Sequence, residues 1–118
     1  SRGLGDVYKR QTSDQAEFAS GLRCVAGHEP VLDMMGRIVD YQHWGLGRIG
    51  GARFKGGWNH HEGGHLARQF GLIPGPNGDI AVAITAHSPK GHEGSFAMLN
   101  ELANGLNAMR GDLPTSRC

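Results

Sequence analysis

Between Trp58 and Phe70, in WNHHEGGHLARQF, four side chains capable of chemistry crowd together: His60, His61, Glu62 and His65. His61, Glu62 and His65 spell H-E-x-x-H, a motif in which two imidazoles on one helix face hold a zinc ion and the carboxylate activates its bound water. The local sequence argues against the helix this requires. Gly63 and Gly64 side by side cost about 2 kcal/mol relative to alanines, and Gly56, Gly57 and Gly71 flank them closely. The extended H-E-x-x-H-x-x-G-x-x-H form fails at Arg68 and Gly71. A third ligand would have to come from His87, His92 or Glu93, which no pattern brings near. The expectation is therefore no metal and no cofactor, with the segment extended rather than helical.

The totals narrow the field. A chain of 118 residues is at most one domain, and a domain of that size buries only about two thirds of the surface its unfolded chain exposes. Twelve basic against eleven acidic residues give a formal charge of +1, and no basic run provides the electrostatic footprint of a nucleic-acid or anionic-membrane partner. No apolar run approaches the roughly 18 residues of a membrane span. Cys24 and Cys118 form neither a metal pattern nor a disulfide framework, and no compartment is assigned. Twenty glycines interleaved with aromatic and β-branched residues point to tight turns and strands with close backbone approaches.

The elements that must position the cluster follow from periodicity. Residues 1–11, SRGLGDVYKRQ, lack apolar spacing and resemble the translated read-through of a sequencing adapter, so they are expected to be a non-native leader. Residues 12–111 form the domain and 112–118 an unpatterned tail. Thr12 and Gln15 fit a capping box ahead of a helix carrying Phe18, Leu22 and Val25 and ending near Gly27. Pro30 opens a short second helix with Leu32, Met35 and Ile38 as its buried stripe. Extended segments are predicted over Tyr41–Ile49, Ala52–His60 and His65–Ile73. The turn Gly75-Pro76-Asn77-Gly78 reverses the chain, with Asn-Gly accepting the positive φ of a hairpin.

Ile80–Ala86 then alternates Ile80, Val82 and Ile84 against Ala81 and Ala83 with no charge on either side, the pattern of a strand covered on both faces. The alanine face suits a close helix, for which the final amphipathic segment is the candidate. That segment carries Phe96, Leu99, Leu102, Leu106 and Met109 and stops at Gly111. The fold class is α+β: an antiparallel sheet of three to four strands covered by a C-terminal amphipathic helix.

From Thr12 to Arg110 the order of these pieces resembles the carboxy-terminal part of the serine β-lactamase and penicillin-binding-protein-like superfamily, in particular its class C β-lactamase and family VIII esterase branch. The residues that carry the likeness are Trp44-Gly45-Leu46-Gly47, the H-x-G-G string His61 to Gly64, the strand ending in Phe70, the Pro/Asn/Gly turn, IAVAIT and the terminal helix. The resemblance implies an incomplete part of a β-lactamase-like fold whose full form hydrolyses ester or amide bonds through an acyl-enzyme. It places His61, Glu62, Gly63 and Gly64 on the substrate and makes His61 and Gly64 the catalytic contributors. His61 would meet the substrate carboxylate or assist proton transfer. Gly63 would let substrate lie close to the backbone, and the N–H of Gly64 would be one oxyanion donor. Glu62 stands where the family has Thr or Ser, which favours ester or amide over β-lactam substrates.

The nucleophile motif S-x-x-K occurs nowhere, and neither Tyr8 nor Tyr41 begins Tyr-x-Asn. The sequence therefore leads to the expectation of a serine-hydrolase fragment, inactive by itself, whose parent takes a small-molecule ester, amide or β-lactam-like substrate. The alternatives are a zinc hydrolase using HEGGH and a non-catalytic α+β module. A fragment of this kind is also expected to leave a sheet edge and one apolar sheet face uncovered.

Overall fold

The computed structural model describes residues 12–37, 44–61, 64–89 and 91–116, except for the side chains of His60, His61 and His92. Two helices, α1 (Thr12–Gly21) and α2 (His28–Met35), precede three strands, β1 (Arg53–His61), β2 (Gly64–Gly75) and β3 (Gly78–Ser88), and a long helix α3 (His92–Met109) closes the order. The strands form one antiparallel sheet in sequence order. This is the α+β arrangement with a covering C-terminal helix that the sequence predicts.

Strand alternation sorts the side chains into two faces. The pairings Phe54 with Gly71 and Gly71 with Val82, Gln69 with Ile84, Ala67 with Ala86, and Ile73 with Ile80 line up one row across the sheet. On that row α3 lays Leu99 and Ala103, both fully buried, with Phe96 and Leu106 at the margin. β-branched residues fit the pleat here, and the small Ala67, Ala86 and Ala103 let helix and sheet approach. Each fully buried Leu or Ile on this face contributes about 1.5–3 kcal/mol.

The opposite face belongs to the N-terminal helices. Leu22, Leu32 and Met35 pack on Leu72, with Phe70 and Ala81 alongside. Two polar ties fasten it to β3: the hydroxyls of Thr12 and Thr85 lie 2.7 Å apart, and Arg23 Nε donates to Asp79 Oδ2 at 2.7 Å.

Several local expectations change. The alanine face of β3 is covered by α1, with α2 packing on β1 beside it, rather than by the C-terminal helix, which takes the Ile/Val face instead. Both faces of the sheet are therefore helix-covered, and the exposure expected of one whole face is not seen. Tyr41–Ile49 is not a strand over its described part, because Gly45–Arg48 is a short 3-10 turn; 41–43 lie outside the described residues, as do Ile38 and 1–11. The capping box does not form as drawn: Thr12 is engaged with Thr85, and Gln15 Oε1 is buried with no hydrogen-bond partner among the described residues.

The first helix ends at Gly21, six residues short of Gly27, and continues as a 3-10 turn over Leu22–Cys24. At the β2–β3 reversal no non-glycine residue has positive φ; Gly78 takes it at +133° in place of Asn77. The buried stripe of α3 is Ser95, Leu99 and Ala103, while Leu102 and Met109 face solvent at 45% and 49% exposure.

Candidate functional site

The H-x-G-G string lies at one end of the sheet. His61 is the last residue of β1 and Gly64 the first of β2, and the two are paired antiparallel partners. Glu62 and Gly63, the positions between them, are outside the described residues. One pair further in, His60 is opposite His65, which in turn faces Ser88 on β3.

This register separates His61 and His65 onto neighbouring strands and removes the helix on which an H-E-x-x-H zinc site depends. The helical reading of the segment is thereby overturned. Among the described residues no three His, Cys, Asp or Glu side chains gather where they could hold a metal ion.

Gly64 is held in a conformation that L side chains rarely adopt, with φ of +147°. A Cβ there would lie 2.5 Å from the carbonyl oxygen of Ser88 and 3.0 Å from Nε2 of His87. Two consequences follow. The need for glycine at 64 is met inside the sheet by the close pass of β3, and the imidazole of His87 sits beside the Gly64 backbone. The sequence considered His87 only as a distant zinc ligand. Its place opposite Leu66 in the β2–β3 ladder emerges only once the register is known.

The aromatic-Gly-Leu-Gly segment is pinned above the α3 face of the sheet by two residues that belong to no motif, Gln69 and Asn100. Gln69, fully buried on β2, accepts from Leu46 N–H at 2.7 Å and donates from Nε2 to Trp44 O at 2.6 Å. Asn100 of α3 accepts from Gly45 N–H. Gly45 has φ of +64°, and a Cβ there would meet Gln69 Oε1 at 2.1 Å, so the turn, its glycine and its glutamine are a single unit. The turn sets Trp44 in a stack on Phe96, with centroids 4.1 Å apart and planes 10° apart, and Trp58 meets both rings edge-on. The signal for Gln69 was present in the sequence: it is a polar residue at an inward step of Ala67, Gln69, Gly71, Ile73.

Of the serines, Ser95 is fully buried and donates to His65 O at 2.6 Å, and Ser88 is buried in β3. Both are structural in this setting, since a nucleophilic hydroxyl needs access to substrate and an adjacent base. Among the described residues no helix is long and apolar enough to cross a membrane. No family model, no curated protein and no solved structure matches the chain.

Proposed function

We propose that these residues form the oxyanion and substrate wall of a β-lactamase-like serine hydrolase acting on small esters or amides. His61 contacts the substrate, Glu62 and Gly63 border it, and the Gly64 N–H donates to the developing oxyanion. The observation that supports this reading is the pairing of His61 with Gly64 at the end of an antiparallel sheet. The pairing brings the backbones of His61 and Gly64 together at the ends of β1 and β2. The helix-backed order of β1, β2, β3 and α3 is the order the resemblance requires.

Because no S-x-x-K is present, the nucleophile and its base come from residues outside these 118. The test is hydrolysis of a nitrophenyl ester, with and without a covalently joined upstream coding segment that carries S-x-x-K. The chain alone is expected to show no turnover above buffer and no labelling by a fluorophosphonate. The joined protein is expected to turn over and to lose at least about 100-fold in kcat/KM on His61→Ala, the scale of a lost proton-transfer group. Hydrolysis by the chain alone that disappears in His61→Ala would overturn the reading, because the nucleophile would then lie within it.

A further inference from the structure

The face of the sheet that carries α1 and α2 has a concave patch beside its core. Phe18 of α1 meets Phe70 of β2 edge to face, with ring centroids 5.8 Å apart and planes at 70°. Together with Leu22, Met34 and Met35 these rings line a hollow of about 380 Å³. Leu22 and Met35 are buried and form part of the core, whereas Phe18, Met34 and the neighbouring Val31 of α2 stay exposed around it. Contiguous exposed apolar surface of this kind marks an interaction site more often than single scattered residues do.

One cation stands at its edge. Lys55 is paired with Phe70 across the β1–β2 ladder, so the two side chains rise side by side from the same face of the sheet. Among the described residues that line the hollow, Lys55 alone carries a charge. The lining surface is almost wholly apolar, which means that the lysine contributes its hydrocarbon stem to the wall and holds its ammonium at the rim. That ammonium donates to Gly56 O at 2.7 Å, a bond that uses one of its three hydrogens.

Shape and charge together narrow the occupant. The volume lies at the lower end of the roughly 300–1,000 Å³ typical of small-molecule sites. Met34 and Met35 bring unbranched thioethers that adapt to a flexible chain, and the aromatic rings offer flat apolar contact. An apolar wall with one cation at its rim matches a ligand with an apolar body and a single anionic end. A ligand with a second charged group would find no partner for it among the described residues of the lining.

We propose that this hollow is a binding site for an unbranched, medium-chain aliphatic carboxylate. Its hydrocarbon rests against Phe18, Phe70 and the two methionines, and its carboxylate accepts from the Lys55 ammonium. The site is read from binding alone and stands apart from the hydrolase reading.

The experiment is titration of the full chain with octanoate, followed by NMR of the methyl groups of its four methionines. Met34 and Met35 line the hollow, whereas Met98 and Met109 lie on α3 at 43% and 49% exposure and report adsorption to apolar surface in general. The Met34 and Met35 signals are expected to move saturably, with Kd on the order of 1 mM as befits so few atoms, while those of Met98 and Met109 stay in place. Hexanoate is expected to bind more weakly and decanoate more tightly, by about fourfold per methylene. Lys55→Gln is expected to weaken octanoate about fivefold and leave octanol unchanged. Val31→Asp puts a carboxylate into the wall at a half-exposed position; it is expected to weaken octanoate at least about tenfold with the thermal midpoint unchanged. Equal movement of all four methionine signals, no saturable movement of Met34 and Met35, or an affinity indifferent to chain length, to Lys55→Gln or to Val31→Asp would each overturn the proposal. So would Met34 and Met35 signals that follow protein concentration instead of octanoate, which would place a second copy of the chain in the hollow.

Discussion

The two faces of the sheet are built on different terms. Under α3, Leu99, Ala103, Gln69 and Ser95 are all completely buried, and the polar groups among them are spent on backbone partners: Gln69 on Trp44 and Leu46, Ser95 on His65. Under α1 and α2 only a few side chains reach the interior, while Phe18, Val31 and Met34 remain 53%, 48% and 71% exposed. An apolar hollow lined by Phe18, Leu22, Met34 and Phe70 opens beside them. A long helix with two hydrogen-bonding anchors closes its face completely. Two short helices joined by a 3-10 turn cover theirs only in part. Close packing and open apolar surface thus lie on opposite sides of one sheet.

The contrast predicts a graded series of stability losses. Gln69→Leu strands the Leu46 N–H and the Trp44 carbonyl in a dry interior, each costing about 1–3 kcal/mol. We therefore expect the largest loss here, about 4 kcal/mol by denaturant unfolding, together with a change in near-ultraviolet ellipticity as the Trp44–Phe96 stack loosens. Next, Leu99→Ala and Leu32→Ala make a matched pair at 0% and 1% exposure. Such truncations range over about 2–5 kcal/mol depending on how far the site collapses, and the looser face should place Leu32→Ala near 2 and Leu99→Ala near 4. Equal losses in the pair would break the comparison. The smallest effect is expected of Met34→Ser, within about 0.5 kcal/mol as for an exposed site; a loss above about 2 kcal/mol would show that the exposed methionine is part of a second core.

Much of the scaffold was legible because it is local. Alternation located β1, β2 and β3 to within a few residues. The Gly/Pro/Asn cluster marked the β2–β3 reversal, since only particular residues tolerate such a turn. The α3 helix was visible as a stripe, but its rotation was not. Phe96, Leu99, Leu102 and Leu106 fit one face about as well as Ser95, Leu99 and Ala103, and the choice depends on how much room the sheet leaves. The small Ala67 and Ala86 beneath the helix favour a close approach by Ala103 and Ser95, which turns Leu102 outward.

The Trp44-Gly45-Leu46-Gly47 segment shows the limit most clearly. Aromatic and glycine residues in alternation suit a strand and a turn alike, and the partners that select the turn, Gln69 and Asn100, stand 23 and 55 residues away from the groups they bind.

The same division holds at the candidate site. The sequence determined that Gly63 and Gly64 disfavour a helix through His61–His65, because paired glycines raise the cost of helix wherever they sit. It also determined that no S-x-x-K nucleophile accompanies the string. Only the tertiary structure decided that His61 and Gly64 face each other across two strands, that Gly64 is tight against Ser88 and His87, and that β3 turns its alanines to the N-terminal helices. These are facts of strand register and layer order. They are set by which distant surfaces bury one another, a choice that no stretch of local periodicity contains.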